Sequence, residues 1–129
     1  MSDQTASAAG GRLNQQITNA IVRRRKRFLG RGPTRAQAFY RDNVVVVLME
    51  DSLTDGERRL AEDGGSEAVL GMRLRYEKLM RPEFVDAVEE LTASRVEAFL
   101  SCNHMSPDLA ADLFVLDRPV VARAEPPRA

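Results

Sequence analysis

The run Val-Val-Val-Val-Leu-Met at positions 44–49 constrains the fold more than any other segment of the chain. β-branched residues favour strands, and four consecutive valines place apolar side chains on both faces of a pleated strand. This pattern is typical of the middle of a sheet that is covered on both sides. A layer of helices would cover one face. The sequence leaves the cover of the other face open, and a dimer partner is one candidate.

A hairpin is predicted immediately before this run. Residues 34–41 alternate, with Ala36, Ala38 and Tyr40 on one face, as expected for a strand. Asp42-Asn43 then provides a two-residue turn, because Asp and Asn tolerate positive φ better than most residues. The strand over 34–41 is therefore expected to pair with the strand over 44–49.

Two further strands are predicted near the end of the chain, over 95–102 and 110–116. In the first of them Val96, Ala98, Leu100 and Cys102 share one face. We expect that face to point inward, where a cysteine behaves as a small apolar residue.

Helical periodicity occurs in three segments. The first is predicted over Leu13–Leu29 and ends at Gly30-Arg31-Gly32-Pro33, because glycine can adopt the left-handed cap and proline cannot continue a helix. Thr54-Asp55-Gly56-Glu57 matches a capping box and predicts a short helix to about Glu62. Ser66 is then predicted to cap a long helix to about Thr92, in which Pro82 either introduces a kink or starts a second helix. The predicted apolar stripe of the long helix consists of Met72, Tyr76, Leu79, Met80, Phe84, Ala87, Val88 and Leu91.

The order α-β-β-α-α-β-β predicts an α+β fold with two layers, in which a mainly antiparallel four-stranded sheet carries helices on one face. We expect a single domain over residues 12–117. The Ala/Ser/Gly-rich residues 1–11 are predicted to be a disordered N-terminal tail, and residues 118–129, with three prolines, a flexible C-terminal tail.

Composition argues against several classes of function. Lys plus Arg and Asp plus Glu both total 19, and this neutral balance disfavours a dedicated nucleic-acid- or membrane-binding protein, although it leaves room for a local charged patch. Cys102 is the only cysteine, which suits a reducing cytoplasm. Because the chain shows no signal peptide and no run of about 18 apolar residues, we expect a cytoplasmic protein that does not span the membrane.

Candidate chemistry is sparse. Cys102, His104 and Asp108 could in principle ligate a metal or form a nucleophilic site. Their spacing matches no zinc pattern, a structural site needs four ligands, and no group that would orient the histidine is evident. The sequence therefore predicts no catalytic site, no metal and no cofactor, and an enzyme using these three residues is the least favoured alternative.

The most unusual run is Arg23-Arg24-Arg25-Lys26-Arg27, near the end of the first predicted helix. Cations there oppose the negative end of the helix dipole, which is a structural explanation, and Arg24 falls nearest the apolar face. The functional alternative is a small-anion or small-ligand sensor that uses Arg23, Arg27 and Arg31.

The order of several short segments resembles the MpsC-like family of small bacterial proteins. The segments are Gly30-Arg31-Gly32-Pro33, Asp42 before the valine-rich strand, Leu53-Thr54-x-x-Glu57-x-x-Leu60 and Glu89-Glu90-Leu91-Thr92. This resemblance implies an accessory protein of a sodium-translocating, membrane-potential-generating system linked to inorganic-carbon supply. It also implies a cytoplasmic location, with the inner face of the membrane as an alternative, and it carries over no catalytic residue. The favoured hypothesis is therefore a non-enzymatic interaction domain, a homodimer with a membrane-transport or regulatory partner.

Overall fold

A computed structural model describes residues 3–122 of the 129-residue chain, with side chains described from residue 8 onward. It contains one four-stranded antiparallel sheet with the strand order β1-β2-β4-β3. The elements are α1 (Asp3–Leu29), β1 (Arg35–Arg41), β2 (Val44–Glu50), α2 (Asp55–Leu60), α3 (Ser66–Thr92), β3 (Val96–His104) and β4 (Leu109–Leu116). This confirms the predicted α+β class and the order of its elements.

The central strands β2 and β4 supply the sheet side of the core. Val45, Val47 and Met49 of β2 are fully buried, and Phe114 of β4 lies in the same cluster. The predicted turn is confirmed, since Arg41 pairs with Val44 and Asp42 has a φ of 54°. The helix side of the core comes from Leu13, Ile17 and Ile21 of α1 and from Met80, Phe84 and Val88 of α3.

Helix α1 begins earlier than the predicted Leu13 and takes in residues 3–11, for which the composition predicts a disordered tail. Ala9 is 4% exposed, and a Cβ on Gly10 would lie 3.1 Å from the Tyr40 hydroxyl, so this turn packs closely on β1. Alanine is the best helix former, and packing on β1 outweighs the cost of the two glycines. At the other end, the Val120 N–H donates to the Asp42 carbonyl (2.7 Å) within the predicted tail, and residues 123–129 lie outside the described residues.

The predicted inner face of β3 is wrong. A register shift between Val96 and Ala98 reverses the alternation of the strand, so that Phe99, Ser101 and Asn103 point towards the helices. Cys102 is consequently exposed and not a core residue. A β-bulge inserts one unpaired residue and exchanges the two faces of every residue that follows it.

The second helical region is confirmed in outline and corrected in detail. Thr54 and Glu57 form the predicted capping box at the start of α2. A wide π-type turn at 61–65 joins α2 to α3, so Gly65 and not Ser66 precedes α3, and no side chain caps it. Pro82 lies inside the continuous helix α3.

The predicted apolar stripe of α3 faces the core as expected, with Met80, Phe84, Ala87 and Val88 buried, and only Leu79 departs from it. Leu79 is 66% exposed, whereas Arg73 and Glu77 occupy buried positions. The sequence pattern selected the apolar residues of the helix, but two charged side chains lie among those that face the rest of the molecule.

Candidate functional site

The face of the sheet turned away from α1 and α3 is apolar. Alternate residues of β2 and β4 pair across it, with Val46 opposite Leu113 at its centre. On the outer strands Phe39 is 46% exposed and Leu100 is 57% exposed. We call this surface the open face; its apolar members are Phe39, Val44, Val46, Leu48, Ala98, Leu100, Cys102, Leu109, Ala111, Leu113 and Val115, and Gln37 and Arg41 of β1 lie at its edge.

Polar groups lie at the ends and edges of the open face. Arg35 and Glu50 form an ion pair there (3.5 Å), and His104 is exposed at the end of β3. An apolar centre with a polar rim is the usual anatomy of a protein–protein interface. Contiguous apolar patches of this kind on a folded chain mark interaction sites.

Beneath the opposite face of the sheet lies a buried ionic cluster around Arg25. The Arg25 Nη2 atom donates to both oxygens of Asp112 (2.8 and 3.0 Å) and lies 3.4 Å from the Glu77 Oε2 atom. The side chains of Arg25, Glu77 and Asp112 are 1%, 3% and 0% exposed. The guanidinium also lies over the Phe84 ring at 5.4 Å. Arg25, and not the predicted Arg24, is thus the cation on the apolar side of α1.

This cluster contains two carboxyl groups and one guanidinium, and Ser101 lies between the two carboxyl groups. The Ser101 hydroxyl oxygen lies 2.7 Å from Glu77 Oε2 and 2.7 Å from Asp112 Oδ1. A hydroxyl has one hydrogen and can donate only one of these bonds. The two carboxyl groups therefore compete for, or share, the single hydroxyl hydrogen.

The pKa of Asp112 is raised in this cluster. Burial raises this pKa above its usual value, and the negative charge of Glu77 raises it further, while Arg25 and Ser101 act in the opposite direction. The Arg25 Nε and Nη1 atoms and the Asn103 Oδ1 atom are buried here without a partner among the described residues. The cluster is therefore only partly satisfied by hydrogen bonds.

A second buried arginine, Arg73, has a different environment. Its Nε and Nη2 atoms donate to the two oxygens of Glu57 (2.8 and 2.6 Å), and Nη2 also donates to the Ser52 carbonyl (2.7 Å). Glu57 in turn accepts the Thr54 N–H (2.8 Å). Burial raises the pKa of Glu57, but the bonds from Arg73 and Thr54 outweigh it, so the pKa is lowered overall.

The three arginines predicted to bind an anion have different contact partners. Arg27 is paired with Glu83 of α3, whereas Arg31 pairs with Asp51 (3.0 Å) and donates to the Leu53 carbonyl. Arg23 is exposed and lines a groove with Glu90. The described contacts bring no two of these arginines to a common partner, and anion binding stays a prediction.

Cys102, His104 and Asp108, the residues considered for chemistry at the end of β3, also share no contact partner among the described bonds. His104 Nδ1 lies 2.8 Å from the Pro107 carbonyl, and Cys102 is exposed. Asp108 instead accepts the N–H groups of Ser52 (3.2 Å) and Leu53 (3.0 Å) and fixes the chain between β2 and α2. Among the residues that the structure describes, no group of three or more His, Cys, Asp or Glu side chains could hold a metal ion.

Sequence reasoning missed Arg25, Arg73, Glu77 and Asp112. A signal was present in α1, because Arg25 lies four residues after Ile21 and eight after Ile17, both buried. No comparable signal marked Asp112, whose partner Arg25 lies 87 residues away in the chain.

Comparison with known proteins supplies the family. No helix within residues 3–122 is long and apolar enough to cross a bilayer. No curated protein and no solved structure matches the chain. A family model described as "Na+-translocating membrane potential-generating system (MpsC)" matches residues 9–118, which include every strand and both α2 and α3. The chain therefore belongs to the MpsC family.

Proposed function

We propose that this chain is a non-enzymatic, cytoplasmic accessory domain of a sodium-translocating system, and that it works as a homodimer through its open face. The description of the family supports the association with such a system. The observation that carries the proposal is the uncharged centre of the open face, where Val46 and Leu113 lie side by side.

The size of the open face suits a second copy. Four strands spaced by about 4.8 Å and about seven residues long cover about 19 by 23 Å, or about 440 Å² in projection. Two copies would then bury about 900 Å² in projection, and more in accessible area, which approaches the roughly 1,000 Å² expected of a specific interface. Packing through this face would produce a sandwich of two sheets about 10 Å apart.

The chemistry of the face also favours a copy of itself. A two-fold interface places the same patch on both sides, so it must be complementary to itself. Val44, Val46 and Leu48 beside Ala111, Leu113 and Val115 meet that condition, because apolar side chains need no opposite charge.

The test is sedimentation analysis of the full chain and two variants. Leu113→Lys places a cation at the centre of the open face and should convert the dimer to a monomer whose circular dichroism is unchanged. Leu70→Lys is the matched control, because Leu70 lies on α3 and is partly exposed (36%). A wild-type chain that is monomeric at micromolar concentration would contradict the homodimer.

The accessory role is tested separately by affinity capture from the native bacterium with solubilised membranes. Recovery of components of the transport system by the wild type is expected. Failure to recover them from a chain that still dimerises would contradict the accessory role alone. An enzymatic activity abolished by His104→Ala would contradict the non-enzymatic part of the proposal.

A further inference from the structure

The surface of the helix layer combines cations with exposed apolar side chains at one end. From Arg12 to Arg41 the chain contains nine Lys and Arg residues and no Asp or Glu: Arg12, Arg23, Arg24, Arg25, Lys26, Arg27, Arg31, Arg35 and Arg41. In α3 the only acid between residues 68 and 82 is Glu77, and it is buried. Arg25 is buried, and Arg35 and Arg41 belong to β1 and point to the open face, so they add no charge to the helix layer. The exposed cations near the end of α1 are Lys26 and Arg27, and the neighbouring part of α3 adds Arg75 and Lys78.

Contacts between α1 and α3 bring these two basic segments side by side. The Phe28 and Tyr76 rings meet edge to face with centroids 5.7 Å apart, and Arg27 pairs with Glu83. Leu79 lies three residues after Tyr76 and four before Glu83, so it lies on the same side of α3. Arg75 and Lys78 are exposed on the adjoining turn. We call Arg27, Phe28, Arg75, Lys78 and Leu79 the basic helical surface.

The apolar members of this surface are unusually open. Leu79 is 66% exposed and Phe28 is 41% exposed, although both lie next to α1–α3 contacts that could have covered them. A solvated cationic face needs no large apolar side chains. Cations together with exposed Leu and Phe are typical of helices that lie at a bilayer surface, where the apolar side chains enter the headgroup region.

We propose that the basic helical surface binds the surface of a bilayer that contains anionic phospholipid. Arg75 and Lys78 meet the headgroup phosphates, and Phe28 and Leu79 insert between the headgroups. Glu83 is the acid in contact with this surface, and it is already neutralised by Arg27. Single-stranded nucleic acid would instead favour several aromatic side chains on which bases stack, and Phe28 and Tyr76 already stack edge to face on each other.

This inference goes beyond the proposed homodimer and uses the other side of the molecule. The open face lies on the sheet surface away from α1 and α3, so a sandwich of two copies leaves the basic helical surface on the outside of each. The two proposals can therefore fail independently.

The experiment is co-sedimentation of the full chain with vesicles. Vesicles of phosphatidylcholine with phosphatidylglycerol should bind the chain, and vesicles of phosphatidylcholine alone should not. Lys78→Glu reverses a charge on the basic helical surface and should weaken binding by more than fivefold, since each cation near an anionic membrane contributes about fivefold. Leu79→Ser should weaken binding without changing its salt dependence.

Two controls decide whether the surface is the one proposed. Arg59→Glu makes the same charge change at an exposed position of α2, and it should leave most of the binding intact. An equal loss in Arg59→Glu would mean that only net charge matters and would overturn the proposal. A loss of vesicle binding in Leu113→Lys would place the lipid on the open face and would also overturn the proposal. RNA binding as tight as the binding to anionic vesicles would overturn it too.

Discussion

The two buried arginines of this protein have the same exposure and opposite electrostatic surroundings. Arg25 and Arg73 are both 1% exposed. Arg25 donates to both carboxylate oxygens of Asp112, and Arg73 donates to both carboxylate oxygens of Glu57. Arg73 faces one carboxylate, Glu57, whose pKa is lowered. Arg25 faces two, Glu77 and Asp112, and the pKa of Asp112 is raised. Complete burial is the main cause of the raised pKa of Asp112, and the charge of Glu77 adds to it, whereas at Glu57 the bonds from Arg73 and Thr54 outweigh the effect of burial.

The difference teaches how a buried ion pair differs from a buried cluster. One guanidinium and one carboxylate neutralise each other. The Ser52 carbonyl accepts a further bond from Arg73, and the Thr54 N–H donates to Glu57. Two carboxylates with one guanidinium would leave a net negative charge in the core. Burial of Asp112 next to a second carboxylate accordingly raises its pKa.

The largest effect is expected from Arg73→Met, which leaves Glu57 without its cation. Removing one partner of a buried pair costs about 3–5 kcal/mol, because the other charge remains uncompensated. The free energy of unfolding in urea should fall by that amount. Arg75→Met is the matched control on the same helix, and since Arg75 is exposed its effect should stay within about 0.5 kcal/mol. Similar effects for the two variants would mean that Arg73 and Glu57 do not interact in solution.

Neutral isosteres of the two carboxylates sharpen the comparison. Glu57→Gln leaves Arg73 buried with no anion and should cost about 2–3 kcal/mol at neutral pH. Asp112→Asn leaves Arg25 with Glu77 and removes the excess acid, so its cost should be less than about 1 kcal/mol. Urea unfolding of both variants under identical conditions measures the difference. Equal costs would show that Asp112 is as fully ionised in the folded protein as Glu57.

The pH dependence of stability should have opposite signs for the two sites. The pKa of Glu57 is lowered below 4.5 in the folded protein, so its contribution is present above that pH and is lost as pH falls through the folded pKa. The pKa of Asp112 is raised above 3.8, so its contribution is present below pH 3.8 and is lost as pH rises through the folded pKa.

Unfolding free energies measured from acid to neutral pH separate these contributions. Asp112→Asn should remove the fall in unfolding free energy that accompanies rising pH and keep the fall that accompanies acidification. Glu57→Gln should remove the fall on acidification and keep the fall at rising pH. If both variants altered the same limb of the profile, the assignment of a lowered pKa to Glu57 and a raised pKa to Asp112 would be wrong.

The sequence predicted the features that depend on neighbouring residues. The capping box of Thr54 and Glu57, the Asp42-Asn43 turn and the extent of α3 all follow from local backbone preferences. It predicted the apolar stripe of α3 but not the buried Arg73 and Glu77 beside that stripe or the exposure of Leu79, because charged side chains carry no apolar signal.

The candidate surfaces were predicted less well than the fold. The open face was anticipated for the valine-rich strand, since both of its sides are apolar. The contribution of β3 to that face was not, because the bulge at Val96/Ala98 depends on pairing with β4. Arg25 and Asp112 are joined only by the packing of α1 on the sheet, which no spacing in the chain reveals.

An effect about as small as that of Asp112→Asn is expected from Ser101→Ala, which tests the hydroxyl between the two carboxyl groups most directly. The hydroxyl joins Glu77 to Asp112 through two contacts of 2.7 Å, so its loss should cost about 1 kcal/mol and bring the two carboxylates into direct opposition. Cys102→Ala is the control, because Cys102 is the next residue and is exposed. If a carboxyl proton supplies one of the two bonds, Ser101→Ala should also displace the carboxyl carbonyl stretch in the infrared spectrum at neutral pH. A spectrum with no band from a protonated carboxyl in the wild type would show that both acids are ionised, and the contrast between the Arg25 and Arg73 sites would then rest on hydrogen bonding alone.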